Sequence, residues 1–398
     1  MARLPSTHAI PRTVWALGFV SLFMDVSSEI IHALLPLFLT VTLGASVVMV
    51  GLVDGIAEAT AAIAKVFSGY VSDRIGRRKP LILLGYGLAA LSKPLFPMAG
   101  SAATVLAARF ADRIGKGLRG APRDALIADV TLPEARGRAF GLRQALDSTG
   151  AFVGPALAIG LMVAFENDMR RVFWVALIPA VIALLIIIFA VSEKPGRAAN
   201  DVARSPIALA ELRRLPPQFG KIVALGSIFT LARFSEAFLV LKATQVGLPM
   251  VAAPLVLVAM NLVYSLGSYP AGALADSHSA RWLLQVGLVL LVAADTLLAF
   301  SSSVVIVFVG IALWGAPMAM TQGLLSKLVA DHAPAGLAGS AFGLFNLAVG
   351  IAMLVASVLA GVLWETVGSP ATFMAGGVFA AAAIGFAQVF LPQSFRPT

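Results

Sequence analysis

The stretch Gly69-Tyr70-Val71-Ser72-Asp73-Arg74-Ile75-Gly76-Arg77-Arg78-Lys79 decides how the rest of the chain is read. It joins two apolar segments, at 47–70 and 80–99, each close to the ~20 residues a membrane-spanning helix needs. Four basic residues between two such segments mark a short loop on the side of a membrane where Lys and Arg collect. The glycines Gly69 and Gly76 allow a tight turn and close helix approach. Asp73 can pair with an arginine on that side or accept hydrogen bonds at a helix N-terminus. Such a cluster either holds one side of the protein shut in one state or acts only as a positive anchor.

Working outward, the same segment length recurs at 13–40, 102–124, 137–164, 171–191, 219–245, 251–274, 281–300, 303–325, 338–362 and 371–391, twelve spans in all. Of the 398 residues, 59% are apolar and 12% charged. Soluble domains carry roughly 45–50% apolar and about 25% charged residues, so a soluble globular enzyme is excluded. The chain reads as an all-α polytopic membrane protein of twelve transmembrane helices. The longest polar interruption, 193–218, separates six helices at 1–192 from six at 219–398.

The net charge of +9 suggests nucleic acid only in a soluble protein; here the basic residues belong to loops, and no nucleic-acid partner is expected. They fall on one side of the alternation, which predicts cytoplasmic N- and C-termini in a cell inner (plasma) membrane. The run after Arg12 exceeds the 7–15 residues of a signal-peptide core and is read as a retained first span. There is no cysteine, so disulfides and thiolate metal sites are excluded. No metal-ligand spacing, nucleotide loop or catalytic triad is present, so no metal, cofactor or catalytic residue is expected.

The halves resemble each other. Gly69 to Asp73 recurs as Gly272 to Asp276, and Ala139-Phe140-Gly141-Leu142 recurs as Ala341-Phe342-Gly343-Leu344. Ser28-Glu29 answers Ser235-Glu236, and Glu58 answers Asn261. Four ordered matches at offsets of 202 to 207 residues make the chain an internal repeat of six plus six. With these features, the 69–79 stretch resembles the loop signature G-x-x-x-D-R-x-G-R-[RK]-[RK] of the major facilitator superfamily. The resemblance covers essentially the whole chain and implies two pseudo-symmetric six-helix halves that rock about a midplane site. It implies gating roles for Gly69, Asp73, Arg74, Gly76 and Arg77.

The first segment carries Asp25, Glu29 and His32 on one helical face. Asp25 lies about 18 Å from the segment's start, near the bilayer centre. A carboxylate there is costly and normally faces a cavity or a partner. The second segment repeats the pattern with Asp54, Glu58 and Lys65. Together Asp25, Glu29, Asp54 and Glu58 are the expected proton-coupling groups.

The fourth segment contains Arg109, Asp112, Arg113, Lys116, Arg119 and Arg123. Arg113 to Ala121 resembles the motif R-x-x-Q-G-x-G-A of proton-coupled members of that superfamily, with Lys116 in place of the glutamine and Arg119 in place of a glycine. The resemblance assigns Arg113 to the proton-transfer machinery. These bases either neutralise the neighbouring acids or serve an anionic substrate. Gly150 to Ile159 resembles the antiporter motif G-x-x-x-G-P-x-x-G-G without its final glycine pair, which implies gating roles for Gly150, Gly154 and Pro155; close packing is the other reading. Lys116, Gln144, Asp147, Glu236 and Asn261 are the candidate substrate contacts.

The expected function is a secondary active transporter, a proton-coupled antiporter exporting a small organic solute or drug by alternating access. Its partners are a small-molecule substrate, protons and the lipid bilayer; the proton gradient is the energy source, and a monomer is expected. Another reading keeps the fold and takes an organic anion or metal chelate in either direction. A third is a membrane sensor that no longer transports. Lys93 and Asp295, each alone in an apolar segment, have no role in any of these readings.

Overall fold

A computed structural model describes residues 10–75, 77–132, 135–193, 216–277, 279–332 and 338–390. Within them the chain forms twelve helical spans and no strand. The first group is α1 (Arg12–His32, continued as Leu35–Leu37 and a π-turn Phe38–Thr42), α2 (Val47–Ile75), α3 (Lys79–Ser92, then Leu95–Met98), α4 (Ala102–Val130), α5 (Arg136–Ala164) and α6 (Met169–Val175, then Leu177–Ala190). The second is α7 (Pro217–Ala232, then Ala237–Gln245), α8 (Leu255–Ser277), α9 (Ala280–Phe300), α10 (Val304–His332), α11 (Ala338–Thr366) and α12 (Ser369–Phe390). The internal repeat survives in the helix ends. Both α4 and α10, and both α5 and α11, are 29 residues long, and each pair starts and stops 202 residues apart. Most of the interval 193–218 lies outside the described residues.

Eleven of the spans are long and apolar enough to cross a membrane, and the exception is α4. The helix of the fourth segment is present, Ala102–Val130, but it carries too many charges to face lipid all round. It crosses because Arg109, Asp112, Arg113 and Arg119 are buried against neighbouring helices, where charges find partners that lipid cannot supply. The helices α2 and α3 flank it.

The loop reading of 69–79 is corrected. The helix α2 continues to Ile75, so Gly69, Asp73 and Arg74 sit on its last turns and the connection is three residues long. No proline interrupts this stretch, and one glycine costs a helix only about 1 kcal/mol. Gly76 lies outside the described residues, as do the side chains of Asp73 and Arg74. Arg77 is exposed. The adjoining bases act within the first six helices. Arg78 Nη1 donates to Ser72 Oγ at 2.7 Å, and Lys79 Nζ donates to the Val191 carbonyl at 2.7 Å. The Glu193 carboxylate accepts from the backbone N–H groups of Arg78 and Lys79, the latter at 2.9 Å. It thereby caps α3, which has no side-chain cap of its own, and meets the positive end of that helix.

Four spans are interrupted, α6 only at Ala176. Near its end α1 breaks at Ala33–Leu34 ahead of Pro36, and α3 breaks at Lys93–Pro94, where proline removes a donor. The break in α7, from Arg233 to Glu236, contains no proline; there Ser235 Oγ accepts the Ala237 N–H at 3.1 Å in place of a helical partner.

Between the two groups, α2 packs along α11 and α5 packs on α8. Glycines set the α2–α11 distance. A Cβ on Gly55 would lie 2.9 Å from Leu354 Cα, one on Gly361 2.7 Å from Val48 Cα, and one on Gly350 3.1 Å from Ala62 Cβ. These approaches occupy residues 47–62 of α2, the part remote from the side that carries Ile10 and Phe390. Beyond them Lys65 and Phe67 are exposed. The seam thus joins the groups at one end of the space between them.

Candidate functional site

The parallel helices α2 and α4 both run toward the side of the chain ends, and two ion pairs cross between them as rungs. Arg109 Nη2 lies 3.3 Å from Asp54 Oδ1, and one turn on, Arg113 Nη1 lies 3.2 Å from Glu58 Oε1. Acid and base are each repeated at a spacing of four, so side chains on facing stripes meet in register. Past the second rung the helices touch directly: a Cβ on Gly117 would lie 2.9 Å from the Ala61 carbonyl, and Ser68 Oγ donates to the Gly117 carbonyl at 2.8 Å.

The rungs differ in surroundings. Asp54 and Arg109 are both buried. Asp54 Oδ2 also accepts from Ser235 Oγ at 2.7 Å, a bond between the two groups of six helices. Glu58 faces open space, its side chain 47% exposed. On its other face α4 holds Asp112, 2.9 Å from Lys93 Nζ and 3.8 Å from Arg113 Nε. Lys93 also donates to Ser28 Oγ at 3.0 Å. The sequence left Lys93 without a role; its lone charge in an apolar segment was the only signal that a buried acid faced it.

On α1, Glu29 pairs with His32 Nδ1 at 3.3 Å. Asp25 forms no ion pair or hydrogen bond among the described residues. Both acids lie where α5 crosses α1. A Cβ on Gly150 would stand 2.9 Å from Asp25 Cβ, and one on Gly154 would stand 2.7 Å from Glu29 Cβ. The spacing of four on α1 matches the spacing of four on α5, so the small residues seat the acid-bearing backbone against α5. Pro155 is buried beside them. The structure places these three residues inside the first group of helices, whereas the seam between groups uses Gly51, Gly55, Gly350 and Gly361. The pair Gly51 and Gly55 was visible in the sequence as small residues four apart.

Lys116 is exposed and forms no ion pair among the described residues; Glu58, Asp25 and Glu29 are its acidic neighbours. From the second group Glu236, 3.9 Å from Arg233 Nη2, has Glu29, Glu58 and His32 within electrostatic reach. The structure therefore brings together Asp25, Glu29, Glu58, Lys116 and Glu236. Gln144 and Asp147 lie nearer the chain-end side, where Asp147 is within electrostatic reach of Asp25. Arg143 donates to Asp147 at 2.7 Å and to Gln144 at 2.7 Å, and Arg123 stands 3.8 Å from Asp147. Asn261, half-buried on α8, shows no side-chain hydrogen bond among the described residues. No group of three metal-ligating side chains occurs among the described residues.

The model of the Major Facilitator Superfamily matches residues 17–260 and 237–398. An uncharacterised MFS-type transporter of Methanocaldococcus jannaschii is 29% identical over 377 residues, 93% of this chain and 93% of its own. The inner membrane transport protein YajR of Escherichia coli is 24% identical, covering 93% of this chain and 81% of its own. Among solved structures, a human organic anion transporter superposes with a TM-score of 0.65 at 20% identity, covering 95% of this chain and 99% of its own.

Proposed function

The chain belongs to the major facilitator superfamily of membrane transporters, and from that premise we propose that it is a proton-coupled antiporter exporting a small organic solute. The observation that carries the reading is the pair of acid–base rungs between α2 and α4, one sealed and one open. Asp54 is enclosed by Arg109 and Ser235, whereas Glu58 is reachable from the central space and is held by Arg113. A charge at this depth is expensive without a partner, so protonating Glu58 frees Arg113 and changes what the site can bind. Asp25 and Glu29, seated by Gly150 and Gly154, supply two further acids on the same space. The substrate then competes with protons for Lys116, Arg113 and the acids, which is the linkage an exchanger requires.

Alternating access follows from the seam. The groups meet through α2 and α11 at the end remote from the chain termini, so the state seen here reads as inward-facing once the basic loops are placed in the cytoplasm. The name of the Escherichia coli relative supports an inner-membrane location. Transport in proteoliposomes with an imposed pH gradient tests the proposal. Solute should move against the proton flux, and flux indifferent to the gradient would overturn the coupling.

A second reading is favoured by one observation. Lys116 stands in the central space with no ion-pair partner among the described residues, which suits an organic anion, the class named for the human structural neighbour. Competition between organic anions and lipophilic cations in one binding assay separates the two substrate classes.

A further inference from the structure

The second group of helices contains one buried acid that the transport reading does not use. Asp295, on α9, is 0% exposed, and neither carboxylate oxygen has a hydrogen-bond partner among the described residues. Its pocket lies at the break of α7. A Cβ on Gly376 of α12 would stand 2.7 Å from Asp295 Oδ2, 3.0 Å from the Phe234 ring and 3.1 Å from the Ala232 carbonyl oxygen. A glycine is thus needed where carboxyl, carbonyl and ring converge on one point. Ala232 ends the first segment of α7, where terminal carbonyls lack intrahelical partners and the helix dipole is negative.

The repeat explains why no cation fills this place. Asp295 lies 202 residues after Lys93, the offset that relates α4 to α10. At that offset Asp112, the partner of Lys93, becomes Trp314, whose buried Nε1 also lacks a hydrogen-bond partner among the described residues. The first group therefore encloses a base with an acid, while the second encloses an acid with no base paired to it among the described residues. The charged groups around the pocket are few. The break itself holds Arg233, which lies over the Trp314 ring and pairs with Glu236, and Lys242 follows one turn or more beyond. Neither 304–321 of α10 nor 369–390 of α12 contains a charged residue. On α9 the other charge is Arg281, near its start, and on α8 it is Asp276, near its end.

We propose that Asp295 is a second proton-binding site of this protein, a neutral carboxylic acid lodged beside the carbonyl end of α7 at Ala232. A carboxylic acid needs one acceptor here, whereas a carboxylate would meet a helix C-terminus and an aromatic ring with nothing to offset its charge. One carboxyl and one carbonyl are too few oxygens to replace the water around a metal cation, which favours the proton. The position has a consequence. The same break presents Ser235 to Asp54 of the first group, so a proton leaving Asp295 would push on the residues that hold the two groups together.

The proposal does not depend on antiport, and its test needs no transport. Infrared difference spectra of the purified full chain in lipid nanodiscs, on a background with Asp25→Asn, Glu29→Gln and Glu58→Gln, should retain a carboxylic-acid carbonyl band at neutral pH. The band should shift in heavy water and be lost with Asp295→Asn. Gly376→Ala, which crowds the carboxyl without removing it, should shift the band and serves if the first variant fails to fold. Raising the pH above neutral should lower the melting temperature of the parent, and Asp295→Asn should remove that dependence. A spectrum in which neither variant changes a carboxylic-acid band overturns the proposal. So does a melting temperature raised by sodium chloride, relative to choline chloride, only when Asp295 is present, which would assign a metal cation.

Discussion

Ser235 Oγ lies 2.7 Å from Asp54 Oδ2, so the break of α7 in the second group of helices is hydrogen-bonded to the first rung between α2 and α4 in the first. Rocking of one group against the other must break this bond. A hydrogen bond to a charged group contributes about 1.5–3 kcal/mol, so Ser235→Ala should move the balance away from the state seen here by roughly tenfold or more. Spin-label distances across α2 and α11 check the shift; an unchanged distance distribution would remove Ser235 from the gate.

The two rungs should respond unequally to loss of one partner. Arg109→Gln leaves Asp54 buried beside Ser235 and should cost about 3–5 kcal/mol of stability. Glu58→Gln leaves the buried Arg113 with Asp112 at 3.8 Å, and the exposed Glu58 side chain is solvent-screened, so that loss should be smaller than for Arg109→Gln. Its effect should instead be on the pH dependence of solute flux. Melting and flux measured on both variants decide whether stability and coupling separate in this way.

Gly154→Ala places a methyl group 2.7 Å from Glu29 Cβ, with the Val26 carbonyl 3.0 Å away. Overpacking of this kind costs about 1–3 kcal/mol, and here it also displaces an acid of the site. Gly160→Ala, on the same helix with no atom within 4 Å of its Cβ, should be neutral. Equal melting temperatures and fluxes for the two variants would show that α1 and α5 do not depend on that contact.

The chain has no cysteine, so a single engineered pair can be read without background. Ala62→Cys with Gly350→Cys brings two Cβ positions to 3.1 Å, slightly short of the roughly 3.5–4.5 Å of a disulfide and within reach of a small relaxation. Oxidation should lock α2 to α11 and stop transport, and a reductant should restore it. Flux that survives quantitative cross-linking would mean that this seam does not open during the cycle.

Glu193 caps α3 from 114 residues away along the chain, through the N–H groups of Arg78 and Lys79. Glu193→Ala should lower stability by about 1–3 kcal/mol, while Glu193→Gln keeps an acceptor and should lose less. Thermal unfolding of the two variants in the same lipid measures the difference.

The chain by itself determined a large part of this protein. Apolar segments of bilayer length can satisfy their backbone only as helices, so all-α architecture follows from composition and spacing. The repeat was legible in matches such as Glu58 with Asn261, and the acids of α1 and α2 were legible because a charge in an apolar run has few other uses. What the chain could not determine was partnership. Whether Arg109 meets Asp54 or Glu58, and that Lys93 meets Asp112 and Ser28, depends on the rotation and height of helices against one another. Those are fixed by close contacts at Gly117, Gly150 and Gly154, far from the charges in sequence. The glycines of the α5 motif lie against the acid-bearing backbone of α1, while the glycines of α2 and α11 form the seam between groups. Pattern along a helix reports which face is special; only tertiary packing decides what that face meets, because the register between two helices is a property of both.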